Sequence, residues 1–217
     1  MALEVTALLD GVVGLAKPLA RAVVKEGRSM GEVYRACGAT ARIADDIPVP
    51  RFACYAGHFP TVGVAQVLQE EAAAAVWRVD GSLSFMRLAD LFSPRPVDAI
   101  EVDSTVAVQS AFLEGHEIPV GLSIKPDGSV ITGQRSTPRG VVFLPRTNLR
   151  VLDNVARCLK VRRSLPTEYA GHIRAGQGLD VAGVRHIVST VAHEWVSGSS
   201  GEGATQRTQL WLAQLRE

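Results

Sequence analysis

The spacing of apolar positions predicts one long amphipathic helix in the first half of the chain, over residues 62–78. The apolar residues recur three or four positions apart and share one helical face, and Asp80-Gly81 supplies the turn that would end the helix. The stripe consists of Val64, Val67, Leu68, Ala72, Ala75, Val76 and Val79.

Two interpretations remain open for the N-terminal segment. Apolar residues at helical spacing favour one helix over residues 3–26, but Pro18 would interrupt it. The alternative, which we prefer, is a strand over residues 3–9 followed by a helix that begins near Pro18. Further along, Ser29 and Glu32 have the spacing of a capping box, and Gly38 can end the short helix that follows.

A β-rich stretch follows the long helix. Residues 98–110 alternate in part, and residues 118–124 and 129–133 flank a strong turn signal at residues 125–128. Residues 140–144 form one further short apolar run. These segments predict an antiparallel, β-rich core.

After Pro145 the spacing again predicts helices. Leu149, Leu152, Val155, Ala156 and Leu159 share a helical face, and two further helices are indicated around residues 181–195 and 210–215. We therefore expect an α+β fold: a central antiparallel β-rich core with a long helix, followed by a C-terminal helical region. The expected domains are residues 1–146 and a helical region, residues 147–217, which either stands apart or packs with the first as one domain.

The composition is that of an ordinary globular protein, with 47% hydrophobic and 21% charged residues. No apolar run reaches the roughly 18 residues that a membrane-spanning helix needs, and the N-terminus lacks the features of a signal peptide. We expect a cytoplasmic protein without a membrane partner. Three cysteines, Cys37, Cys54 and Cys158, are too few and too scattered for a disulfide framework.

Charge is distributed unevenly along the chain. Residues 135–174 hold nine Lys/Arg and two acidic residues, whereas the whole chain has a net charge of only +1. In the predicted helix the cations fall on one face, as phosphate binding requires, although solvation or internal ion pairing would produce the same pattern. The predicted phosphate contacts are Arg139, Arg146, Arg150, Arg157, Lys160, Arg162 and Arg163.

No complete catalytic set or metal site emerges from the spacing. The sequence holds no P-loop and no nucleophile elbow, and neither its cysteines nor His186 and His193 complete a zinc site. We therefore predict no cofactor, no metal and no catalytic residue. Residues 57–60, Gly-His-Phe-Pro, nevertheless resemble the histidine element of hot-dog-fold hydroxyacyl dehydratases. That resemblance implies an acid/base role for His58, with Glu70 or Glu71 as its carboxylate partner.

Two other stretches, residues 34–40 followed by 47–49, and residues 203–205 with 209–214, resemble type IV CRISPR–Cas effector proteins of the large-subunit-like family. In the first stretch Tyr34 stands where that family has a cysteine partner for Cys37, so metal binding is not implied. The resemblance implies a non-catalytic subunit that binds guide RNA, and flanking or target DNA, together with other protein subunits.

The sequence thus leaves three hypotheses. The first is a nucleic-acid-binding subunit of a CRISPR-type ribonucleoprotein complex for antiviral defence, with the seven cations as backbone contacts. The second is a hot-dog-like hydroxyacyl thioester dehydratase or hydratase that uses His58. The third is an adaptor protein whose basic helix binds an acidic partner.

Overall fold

The computed structural model describes residues 9–101, 104–108, 119–133, 140–145, 148–197 and 205–216. The chain is mostly β, with 45% strand and 19% helix. It divides into two compact units, Met1–Arg87 and Leu88–Glu217.

The first unit contains two antiparallel strand pairs and two helices. Its elements are a 3-10 helix Asp10–Ala16, β1 Val23–Ser29, α1 Met30–Ala36, β2 Pro48–Cys54, α2 Pro60–Glu70, β3 Ala73–Trp77 and β4 Leu83–Arg87. β1 pairs with β2, and β3 pairs with β4. Phe52, Phe85 and Met30 are fully buried in the core between these elements, next to the buried thiols of Cys37 and Cys54. Burial raises the pKa of Cys37 to about 11, which keeps this thiol protonated.

The second unit is built on a six-stranded sheet in the order β5-β11-β12-β13-β10-β6. Its strands are β5 Asp98–Ile100, β6 Val106–Ala107, β10 Cys158–Glu168, β11 Gly178–Val181, β12 Val184–Val196 and β13 Thr205–Arg216; a 3-10 helix, Ala89–Phe92, precedes β5. The three longest strands, β12, β13 and β10, are antiparallel neighbours, and their core face carries Leu165, Val188, Leu210 and Leu212.

Two β-bulges interrupt this long ladder. In β10, Val161 lies opposite Ala213 and Arg163 lies opposite Leu212, so Arg162 is an extra residue. In β12, Val188 lies opposite Leu212 and Thr190 lies opposite Trp211, so Ser189 is extra, and its hydroxyl donates to the Trp211 carbonyl at 3.1 Å. Beyond each bulge, the side chains of the bulged strand change faces relative to simple alternation.

A smaller three-stranded sheet, in the order β8-β7-β9, completes the second unit. It consists of β7 Val120–Ile124, β8 Val130–Thr132 and β9 Val141–Phe143, and the short helix α3 Leu149–Asn154 packs on one of its faces. The contact with the helix is close because Gly121 and Gly133 meet the backbone of Leu152, where a Cβ atom would lie 2.8 and 2.6 Å from its carbonyl oxygen.

The local predictions that rest on capping and turn chemistry are confirmed. Ser29 caps α1, accepting a hydrogen bond from the Glu32 N–H, while the Glu32 carboxylate accepts one from the Ser29 N–H. Gly38 follows the helix with φ +93°. The predicted turn at residues 125–128 joins β7 to β8.

The expected α+β class with a long helix and a C-terminal helical region is wrong. The described part of the chain contains no helix longer than α2, which has 11 residues. The predicted helix over residues 62–78 stops at Glu70 because Ala72 turns the chain with φ +46° and β3 then pairs with β4. Glu71 is buried at this turn, with its carboxylate 3.1 Å from the Arg87 guanidinium.

In the described part of the chain after residue 147, the regular elements are strands apart from α3. Residues 181–195 and 210–215, expected as helices, lie in β11, β12 and β13. Val188 and Val191 share the core face three positions apart because the bulge at Ser189 lies between them, and this spacing imitates a helix.

The domain boundary expected at residue 146 concerns which parts of the chain fold independently, and it stays a prediction. No helix in the described chain has the length and apolarity needed to cross a bilayer.

One short motif, Asp-Gly-Ser, shapes two of the hairpin turns. At residues 80–82 and 127–129 the aspartate accepts hydrogen bonds from the N–H and the hydroxyl of the serine two positions later, and the glycine between them has positive φ. The bonds from Ser82, aided by the Arg42 guanidinium, lower the pKa of Asp80 to about 2. The bonds from Ser129 lower the pKa of Asp127 in the same way.

The contact between helix α3 and the small sheet makes Gly133 sensitive to substitution. Gly133→Ala would press a methyl group into the Leu152 backbone and should lower the free energy of unfolding by about 1–3 kcal/mol. Gly140→Ala is the matched control, because no atom of the described residues lies within 4 Å of a Cβ atom there. Urea unfolding midpoints measure both, and equal midpoints for the two variants would contradict the packing.

The two Asp-Gly-Ser turns also predict an acid dependence of stability. A carboxyl pKa that is depressed in the folded state stabilises the protein above the unfolded-state pKa of about 3.9, and this stabilisation is lost as the pH falls, for Asp80 through about 2. The double variant Asp80→Asn/Asp127→Asn should therefore lose less stability between pH 4 and 2 than the native chain. Thermal unfolding across this pH range measures the slope, and Asp90→Asn, which removes one exposed carboxylate, is the control. An unchanged slope in the double variant would refute the assignment.

Candidate functional site

Of the seven cations that the sequence predicted as phosphate contacts, the structure disperses those that it describes. Arg139 and Arg146 lie outside the described residues. Arg150 is exposed on α3, and Arg157 follows that helix and donates to Asn154 at 3.4 Å. The other three, Lys160, Arg162 and Arg163, belong to β10. The common helical face is therefore wrong, whereas the assignment of these residues as phosphate contacts stays a prediction.

The bulge in β10 nevertheless gathers two of these cations. Consecutive residues of a regular strand point to opposite faces of the sheet. Because Arg162 is the extra residue of the bulge, both Arg162 and Arg163 line one cleft. The sequence shows the two arginines, but only the register of β10 against β13 shows that they converge.

This cleft lies within the second unit and has a volume of about 380 Å³. Beside the two arginines, its polar lining is His186 on β12 and Gln214 on β13. Its apolar lining comes from β6, the residue after it, and the turn between β11 and β12: Ala107, Val108, Val181, Ala182 and Val184. The cleft thus combines an aliphatic wall with a few converging polar groups, the composition typical of a small-molecule site.

The polar groups of the cleft are held by neighbouring strands. His186 is 3% exposed, and its Nδ1 lies 2.9 Å from the Val184 carbonyl oxygen. Because a carbonyl only accepts, Nδ1 carries the hydrogen, and Nε2 is the second ring nitrogen. Arg163 donates from Nη1 to the Thr105 hydroxyl at 3.3 Å.

Three cationic side chains lie close together at this end of the sheet. Lys160 and Arg216 lie on the adjacent strands β10 and β13, close to Arg162. Burial first, and then the charges of Arg162 and Arg216, lower the pKa of Lys160. An anion bound nearby would therefore stabilise the charged form of Lys160.

The pair proposed for hot-dog chemistry does not assemble. His58 is exposed just before the start of α2, while Glu70 and Glu71 lie at the far end of the helix. Ten residues of helical rise separate His58 from these carboxylates by about 15 Å, far beyond hydrogen-bond reach. Glu70 instead accepts from Gln66 at 3.0 Å, and Glu71 pairs with Arg87. Among the residues that the structure describes, no cluster of His, Cys, Asp or Glu side chains could hold a metal ion.

An aromatic cluster, which sequence analysis missed, lies on the surface of the large sheet. The rings of Tyr169, His193 and Trp195 lie 5.4–5.9 Å apart, centroid to centroid, and Tyr169 and Trp195 are about half exposed. Below them the buried Thr208 hydroxyl is 2.9 Å from His193 Nδ1 and accepts from the Ala170 N–H at 3.0 Å. His193 and Trp195 are two positions apart, the spacing at which residues of a strand share one face. The prediction of a helix over residues 181–195 concealed this signal.

The small sheet presents an apolar outer face. The face opposite α3 carries Ile124 beside Val130, with Val141 and Phe143 on the adjacent edge strand, and all four are about half exposed or more. Several neighbouring apolar side chains exposed on one face mark a protein contact surface more often than scattered ones do. Nothing in the sequence alone distinguished this face from a core-facing one.

Comparison with known proteins finds likeness in fold but not in sequence. No protein-family model matches the chain, and no curated protein sequence matches it. Among solved structures, the fold is similar to the tail protein from Neisseria meningitidis MC58, with a TM-score of 0.58 and 9% identity over 88% of this chain and 68% of that one. It is also similar to the 43 kDa tail protein of prophage MuSo2 from Shewanella oneidensis, with a TM-score of 0.52 and 9% identity over 88% of this chain and 67% of that one.

These neighbours correct the identification made from sequence. They are tail proteins and not CRISPR–Cas effector subunits, so the resemblance to the type IV family is wrong, as are the RNA-binding and antiviral-defence functions that it implied. At 9% identity the likeness concerns the fold alone: this chain has a fold similar to that of these two tail proteins.

Proposed function

We propose that this chain is a structural subunit of a phage-tail-type assembly. The observation that carries the proposal is the likeness of fold to two tail proteins across 88% of the chain.

The apolar outer face of the small sheet supports this proposal. A subunit of an assembly must bury surface against its neighbours, and contact surfaces have an apolar centre that is depleted of charge. Ile124, Val130, Val141 and Phe143 supply such a centre. The face belongs to a sheet whose other side is fixed by α3, so it is presented on a rigid support.

Incorporation into particles tests the proposal. The full-length chain, tagged in its native host, should sediment with tail-shaped particles and label them at one fixed position in immunogold electron microscopy. Deletion of the gene should leave those particles incomplete. A tagged chain that sediments alone, together with normal particles in the deletion strain, would contradict a structural role.

A point variant locates the contact. Phe143→Asp places a carboxylate on the apolar face and should reduce incorporation into particles at least about tenfold, because an unpaired charge buried at a contact is strongly disfavoured. Val79→Asp is the matched control, since Val79 is 69% exposed in the turn between β3 and β4. Quantitative immunoblotting of sedimented particles measures both. Equal incorporation of the two variants would exclude this face as the contact while leaving the structural role to the deletion experiment.

A further inference from the structure

The cleft beside Arg162 and Arg163 has no role in the proposed structural function, yet its construction is that of a binding site. Arg162 and Arg163 both line it because the bulge adds one residue to β10. A guanidinium group has five N–H donors in a planar fork, so it can hold Thr105 or other protein partners and still donate to a ligand. Parallel N–H donors of this kind match the two oxygens of a carboxylate.

The other polar groups of the cleft suit the same ligand. The Gln214 amide is a neutral donor. His186 has its Nδ1–H engaged by the Val184 carbonyl, which fixes the ring, so Nε2 donates to a bound carboxylate only when the ring is the doubly protonated imidazolium. The ring is nearly fully buried, so its position is set before any ligand arrives.

The aliphatic lining decides between kinds of anion. Five of the nine lining residues in the described chain are alanine or valine. An inorganic phosphate would place oxygens against this wall, whereas a carboxylate on a short hydrocarbon body presents oxygens to one side and methylene groups to the other. The volume of about 380 Å³ lies at the small end of the range for small-molecule pockets.

We propose that this cleft binds a carboxylate group carried on a short aliphatic body, with Arg162 and Arg163 holding the carboxylate and Val184 and its aliphatic neighbours holding the body. Lys160 and Arg216 lie on neighbouring strands, close to Arg162. The same chemistry occurs in a free short-chain carboxylic acid and at the carboxyl end of a polypeptide with a small apolar last residue. The proposal is independent of the structural role in a tail.

The test is a titration of the full-length, isotope-labelled chain followed by NMR. Pentanoate should shift the amide resonances of residues 107–108, 162–163, 184–186 and 214 in a saturable manner. Pentanamide, which has the same body without the charge, should shift them at least about tenfold more weakly, as expected for loss of charge-assisted hydrogen bonds. Equal affinity for pentanamide, equal or tighter binding of inorganic phosphate, or no saturable shift with pentanoate would overturn the proposal.

Two variants probe the two halves of the site separately. Arg163→Gln removes one guanidinium and should weaken pentanoate binding about tenfold to a hundredfold. Val184→Phe leaves every charge in place but narrows the cleft from its partly exposed rim. This variant should also abolish the saturable binding of pentanoate. Arg150→Gln, an exposed arginine on α3, is the matched control and should bind pentanoate like the native chain. If Arg163→Gln fails to fold, unchanged binding in Val184→Phe alone refutes the site.

The source of the carboxylate is distinguished by a second ligand pair. Acetyl-Ala-Val with a free carboxyl end and the same dipeptide with an amidated end are titrated against the native chain. Tighter binding of the free-ended peptide than of pentanoate supports a polypeptide terminus as the ligand, and the reverse order supports a free acid. Identical affinity for the free and amidated peptides, with no shift from pentanoate, would exclude both sources.

Discussion

The register of three long strands, β10, β13 and β12, is the constraint on which the second unit depends. In a sheet with one buried face, a shift of one residue exchanges every core side chain for a surface one. Here the shift occurs twice, at Arg162 and at Ser189, in strands that flank β13 on either side. Between and beyond these bulges, Leu210 and Leu212 of the central strand stay in the core while the neighbouring strands realign around them.

The same register places the functional candidates. At one end of the ladder the bulge brings two arginines to a cleft that His186 and Gln214 reach from the next strands. At the other end, where β12 ends and β13 begins, simple alternation resumes and the rings of His193 and Trp195 share a face. The register of these strands therefore places a cleft with charged side chains at one end of the sheet and an aromatic surface patch at the other end.

The sequence allowed accurate prediction where the chemistry was local. The capping box at Ser29, the stop at Gly38 and the Asp-Gly turns were all readable because each depends on residues within four positions of one another. The C-terminal strands were not readable, because the bulge between Val188 and Val191 produces a helical spacing in an extended chain. The end of α2 was missed because Ala72 adopts a conformation that favours glycine, beside the long-range pair of Glu71 and Arg87.

The candidate site was predictable only as a list of residue types. A basic segment in the right part of the sequence did contain the two cleft arginines, but it implied a helix face and a polyanion, whereas the strand geometry favours a single small anionic group. His186 and Gln214 had no distinguishing sequence signal, since their relevance comes from cross-strand proximity. The identification from short motifs failed for a related reason: the relationship to tail proteins lies in the path of the chain at 9% identity, not in any shared stretch of residues.

The two glycines beneath α3 make the two faces of the small sheet differ in how much they tolerate substitution. Gly121 and Gly133 let the helix backbone rest directly on one side of the sheet, so that side tolerates almost no added atom. The exposed side chains on the opposite face do not take part in the contact between α3 and the sheet. Substitutions there change the exposed surface without disturbing the contact between the helix and the sheet, so chains with this fold can vary that surface while retaining one scaffold.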